Sequence, residues 1–132
     1  MPTGKIPPRL LIGLGAVAAA AASALAGCGS SSDVRPTQWS YIAPAIIEPS
    51  CATANCHSAF AARAGLDLST RNTGYTQLLG RHFVIPGHSD TSEIIYLMKA
   101  VGAPRMPPDF PLPAADIDLI ARWIDDDNAM NN

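Results

Sequence analysis

Apolar residues fall at helical spacing in four stretches of this chain, and in no stretch do apolar and polar positions alternate long enough to mark a half-buried strand. In WSYIAPAIIEPSC, Ile42, Ile46 and Ile47 lie near one helical face. Ser40 is placed to cap the start, which puts Pro44 in the first turn, where a missing amide costs little. A shorter run, Tyr75, Leu78 and Leu79, predicts one or two turns stopped by Gly80. Ile94, Leu97, Met98 and Val101 repeat at i, i+3, i+4, i+7, after Asp90 and Glu93 at capping-box spacing and before Gly102. The last stretch sets Ile117, Ile120, Ala121 and Ile124 on one face, flanked by Leu119 and Trp123, with Asp116 and Asp118 in its favoured first turn. Gly102 to Pro113 holds five prolines in twelve residues and predicts a stiff loop. The pattern predicts an all-α domain of about four helices joined by Pro- and Gly-rich loops.

The first residues follow a different pattern. Lys5 and Arg9 precede LLIGLGAVAAAAASALAG, an apolar stretch ending in small residues, which reads as a secretory signal over 1–27. Leu25-Ala26-Gly27-Cys28 resembles the lipobox of bacterial lipoproteins, in which the cysteine becomes the lipidated first residue of the mature protein. Acyl chains on Cys28 would hold the protein to a membrane without spanning it. Residues 28–38 read as the lipidated cysteine and a flexible Ser- and Gly-containing tether, 39–128 as one folded domain, and 129–132 as a disordered tail. Asp125 to Asp127, at the negative end of the last helix, predict fraying there.

Charge narrows the choice of partners. The whole chain carries a formal net charge of −2, and setting aside Lys5 and Arg9 leaves 7 of its 9 basic residues against all 11 acidic ones. No basic run suits nucleic acid. A nucleophile elbow, an H-E-x-x-H pair and a phosphate-binding glycine loop are all absent from the sequence, so no enzyme site is expected. A domain of this size buries a modest share of its surface and often draws stability from a cofactor, metal or disulfide.

The candidate for that help is CATANCH, from Cys51 to His57. A c-type haem is attached through two thioethers with a histidine beside the second cysteine, and the usual motif is C-x-x-C-H. Here four residues separate Cys51 from Cys56, giving C-x4-C-H with His57 in place. Two other readings compete with haem. One is a Cys51–Cys56 disulfide in an oxidising exported compartment, leaving a haem-free structural or interaction module. The other is a zinc site using Cys51, Cys56, His57 and either His82 or His88. A haem also needs a second axial ligand, and Met106 is placed for this in the proline loop, while Met98 reads as core and Met130 as tail. His82 and His88 are alternatives to Met106.

The order C-x4-C-H, AGLDLS, VIPG, SEIIY, RMPP and ADIDLIARWID resembles the small cytochrome c-like domains of bacterial lipoproteins, related to planctomycete-type cytochrome c, from about Trp39 to Asp127. The resemblance implies that Cys51 and Cys56 are the thioether residues, His57 the proximal and Met106 the distal iron ligand, and that the final helix packs across the first. It further implies one covalent haem c and single-electron transfer to and from a redox partner protein. With the lipobox, the expected place is the bacterial cell envelope, as an outer-membrane lipoprotein facing the periplasm or the cell surface. Ile46, Phe60, Leu66, Leu68, Leu78, Tyr96, Met98 and Trp123 are expected to wall the haem pocket.

Overall fold

The computed structural model describes Gly4 and residues 33–132. Apart from Gly4, the stretch expected to be a signal segment, the expected lipidation site Cys28 and the first part of the expected tether lie outside the described residues. Among the described residues the elements are all helical, no strand is present, and no helix is long and apolar enough to cross a membrane.

The first helical run has three parts: α1 (Trp39–Ile42), a π-helical turn (Ala43–Ile47) and α2 (Glu48–Cys51). Its start differs from the expected one. Gln38 flanks it and Ser40 is inside it, so Pro44 falls deeper in the run. Pro44 and Pro49 each withhold an amide from the hydrogen-bond ladder, and the wider turn in which the Glu48 N–H reaches the Ala43 carbonyl lies between them. The run still buries Trp39, Ile42, Ala43, Ile46 and Ile47 on one side and ends at Cys51.

Helix α3 (Arg71–Gly80) is longer than its three apolar residues predict, because Thr70 caps it by accepting the Thr73 N–H at 3.2 Å. Helix α4 (Glu93–Lys99) is shorter than predicted. Asp90 does not form the expected capping box. Buried Ser92 flanks the helix instead, and its hydroxyl accepts the Ile85 N–H at 2.9 Å and donates to the His88 carbonyl at 2.8 Å. Val101, expected on the buried stripe, lies beyond the helix end and is exposed. Helix α5 (Ala114–Asp125) buries Ile117, Ile120 and Ile124 as predicted, and also Leu119 and Trp123.

The core closes where α5 meets α1. The Trp39 and Trp123 rings stack with centroids 4.7 Å apart, and each indole N–H finds a carbonyl, that of Arg71 for Trp39 and that of Met130 for Trp123, both at 2.9 Å. The final helix thus packs on the first.

The C-terminal residues are ordered, contrary to the expected fraying and disordered tail. Helix starts leave amides without intrahelical partners, and Asn132 supplies two acceptors. Its side-chain oxygen takes the Trp39 N–H at 3.0 Å and its backbone oxygen takes the Ser40 N–H at 2.8 Å. Ala129 is buried. Two of the three carboxylates expected to fray α5 have donors: Asp125 accepts the Ser89 N–H and hydroxyl at 2.7 Å, and Asp127 accepts the Thr37 hydroxyl at 2.7 Å.

Packing also begins ahead of Trp39. Asp33 pairs with Arg35 at 2.7 Å and with Arg122 at 3.5 Å, while Arg35 pairs with Asp116 in the first turn of α5. The Arg35 guanidinium and amide hold the Asp33 carboxyl down at about 2, against an ordinary 3.8. A depressed carboxylate pKa contributes stability that is full above the unfolded value and lost as pH falls through the folded one. Asp33→Asn should therefore lower the midpoint of thermal unfolding at neutral pH, with an effect that shrinks as pH falls below the usual carboxylate range and is mostly gone at pH 2. An equal effect at both pH values would show that the charge is not responsible.

Candidate functional site

Between the end of α2, the residues that follow it, α4 and the proline loop lies a cavity of about 520 Å³, within the range of small-molecule and cofactor sites. Cys51, Cys56, His57 and Met106 all line it. The four residues come from two places about fifty positions apart in the chain, and the fold brings both to one wall system. The rest of the lining is largely apolar, including Leu66, Leu68, Leu78, Phe83, Ile94, Leu97 and Met98.

The motif loop is held by backbone bonds. The His57 N–H donates to the Cys51 carbonyl at 3.1 Å, the Cys56 N–H to the Thr53 carbonyl at 2.9 Å, and the His57 carbonyl accepts the Leu68 N–H at 2.7 Å. The residues after Cys51 thus form a compact turn, with Cys51 still helical and Cys56 closing the turn onto Thr53. His57 Nδ1 lies 3.2 Å from the Leu66 carbonyl oxygen. A carbonyl only accepts, so Nδ1 carries the proton and donates. That leaves Nε2 as the imidazole's other nitrogen, the arrangement common in metal-bound histidines, whose second ring nitrogen is fixed by a carbonyl or carboxylate.

Both thiols are free. Burial pushes the Cys51 thiol up to about 12, with the neighbouring Cys56 adding to the shift, so Cys51 stays protonated at neutral pH. A thiol so protected is a poor thiolate ligand and a slow partner in disulfide exchange. Among the described residues, no three His, Cys, Asp or Glu side chains are grouped to hold a metal ion, so the four-ligand zinc set is not assembled. Neither His82 nor His88 lines the cavity.

Met106 reaches the cavity from a braced loop. Its N–H donates to the Leu97 carbonyl at 3.0 Å, which ties the loop to the end of α4. Arg105 clasps the same loop through the Pro107 carbonyl at 3.3 Å and the Pro108 carbonyl at 2.8 Å. Met106 is 41 % exposed, so it forms part of the cavity mouth.

The expected pocket wall is correct in half its residues. Leu66, Leu68, Leu78 and Met98 line the cavity, whereas Ile46 and Trp123 belong to the core behind it and Phe60 and Tyr96 are exposed. Sequence reasoning missed Phe83, Ile94, Leu97 and Arg63. Ile94 and Leu97 were on the predicted α4 stripe, which gave no sign of which stripe residues face core and which face the cavity. Phe83 and Arg63 lie in irregular segments, where no periodicity marks them.

Comparison with known proteins adds one independent finding. Residues 54–109 match the family model described as planctomycete cytochrome C. The matched stretch includes Cys56, His57 and Met106 and begins after Cys51. No curated protein and no solved structure matches the chain. Helical architecture, a cavity joining the cysteine–histidine motif to the proline loop, and this match agree on a cytochrome c-like domain, similar over residues 54–109 to planctomycete cytochrome C.

Proposed function

We propose that this domain holds one covalent haem c in the cavity and passes single electrons to and from a redox partner protein. The observation that supports this most strongly is the convergence of Cys51, Cys56, His57 and Met106 on one largely apolar cavity. Cys51 and Cys56 would hold the haem through thioethers, and His57 Nε2 and the Met106 sulfur would be the iron ligands. When bound, the haem supplies a one-electron couple, whose potential is raised by a methionine ligand. The chain's own residues do the rest. The Leu66 carbonyl fixes the tautomer of His57, the bond to Leu97 and the Arg105 clasp hold Met106, and the apolar lining excludes water. With side chains as both iron ligands, the domain would serve as an electron carrier.

The LAGC lipobox supports export and lipid anchoring at Cys28, and with them a place in the bacterial cell envelope as a lipoprotein. Its acidic surface suits a basic partner region in preference to nucleic acid.

The test is the absorption spectrum and intact mass of the full chain, exported from a host with active cytochrome c maturation. Haem mass that survives unfolding is expected. A colourless chain without added mass rejects the proposal. In the haem-bearing protein, Met106→Ala should lower the reduction potential and open one axial position to added ligands such as cyanide. An unchanged spectrum and potential would remove Met106 from the ligand set.

A further inference from the structure

Arg63 is the only lysine or arginine among the residues lining the cavity, whose other charged residues are Glu93 and Asp109. It sits in a short 3₁₀ turn (Arg63–Gly65) directly after the motif loop, between two alanines in the left-handed region, Ala62 at φ 37° and Ala64 at φ 56°. Such backbone is unfavourable for a residue with a Cβ, and its presence at a site is a reason to seek a role for what it positions. Two bonds aim the residue. Its N–H donates to the Cys56 carbonyl at 3.0 Å, and its side-chain Nε donates to the Asn55 carbonyl. Among the described residues the two Nη groups have no hydrogen-bond or ion-pair partner, which leaves a planar pair of donors at the cavity wall.

We propose that Arg63 is the carboxylate-binding residue of this cavity: its Nη groups hold a propionate of the bound iron porphyrin. This rests on the haem reading above and adds a direction to it. A porphyrin with two carboxylates entering a largely apolar cavity is favoured by a cation for at least one of them, and Arg63 is the one the wall offers. Glu93 and Asp109, contributed by α4 and the proline loop, repel a carboxylate from their own wall. Together they would orient the ring with its acid edge toward the turn after the motif.

The experiment compares haemin with haemin dimethyl ester, titrated into the reduced full chain without covalent attachment, for the wild type and Arg63→Gln. The wild type should prefer the dicarboxylate, and Arg63→Gln should weaken haemin by about tenfold, the worth of a charge-assisted hydrogen bond, while leaving the diester unaffected. Equal weakening of both porphyrins would overturn the proposal and leave Arg63 as a brace of the motif loop through Asn55. A preference for the dicarboxylate that survives Arg63→Gln would also overturn it, placing the acid edge elsewhere. Binding of neither porphyrin by the wild type overturns the inference, while the haem mass of the exported chain decides the haem reading separately. Because the diester shares every contact except the carboxylates, its retained binding also shows that the variant is folded.

Discussion

Replacing Trp123 by alanine should cost the domain about 3–5 kcal/mol, as truncation of a large buried aromatic does. Trp123 is fully buried, stacks on Trp39 and anchors the Met130 carbonyl, so one change opens a cavity, removes an aromatic pair and frees the C-terminal residues. Domains of this size have about 5–15 kcal/mol to lose. The variant should therefore sit at or near the edge of unfolding at room temperature. Trp123→Phe keeps a ring in the stack but loses the indole donor and part of the ring volume, so its loss should be smaller, about 1–2 kcal/mol. Chemical denaturation of the two variants measures the ratio. Near-equal losses would mean that the hydrogen bond to Met130, and not the buried ring, holds the ends of the domain together.

His57→Ala should have the largest effect on the proposed activity. Removing a group that only orients a metal ligand commonly costs 10–100-fold in affinity, and removal of the ligand itself should exceed about 100-fold. The exported variant is expected to lack the absorption of iron held by two strong axial ligands, and added imidazole should restore it by entering the vacated space. The test of orientation is separate, because the Leu66 carbonyl acts on Nδ1 from the backbone and survives every side-chain change at Leu66. A His57→Ala protein with the wild-type spectrum would move the ligand to another residue and end the assignment.

The fold class was legible in sequence because apolar spacing reports burial directly. The stripe on α5 identified Ile117, Ile120 and Ile124, all buried. Helix ends were less legible, because they are set by hydrogen bonds from distant residues. Ser92 serves the turn before α4 and leaves Asp90 no capping role, and Asn132 occupies the place where Ser40 was expected to act. The π-helical turn was invisible to a helical wheel, which assumes one residue spacing throughout, although Pro44 and Pro49 marked where the ladder is incomplete. At the site, the cysteines, His57 and Met106 were found by chemistry: thiols, imidazole and thioether are few enough to stand out. The apolar wall has no such signature. Phe60 and Tyr96 were chosen as large apolar residues near the motif and on α4, yet Phe60 is 98 % exposed while the less conspicuous Phe83 lines the cavity.

The bond between Trp39 and Asn132 spans 93 positions. Contacts so far apart form only after the entropy of closing the intervening chain has been spent, and they cannot form on a nascent chain whose later part has not been made. As the protein is synthesised, Cys51 and Cys56 emerge well before α5 and the residues that latch it. For that interval both thiols belong to an unfinished, open polypeptide in which Cys51 has not been buried. Timing thus gives any enzyme that modifies these cysteines a window of access that ends when the last residues dock.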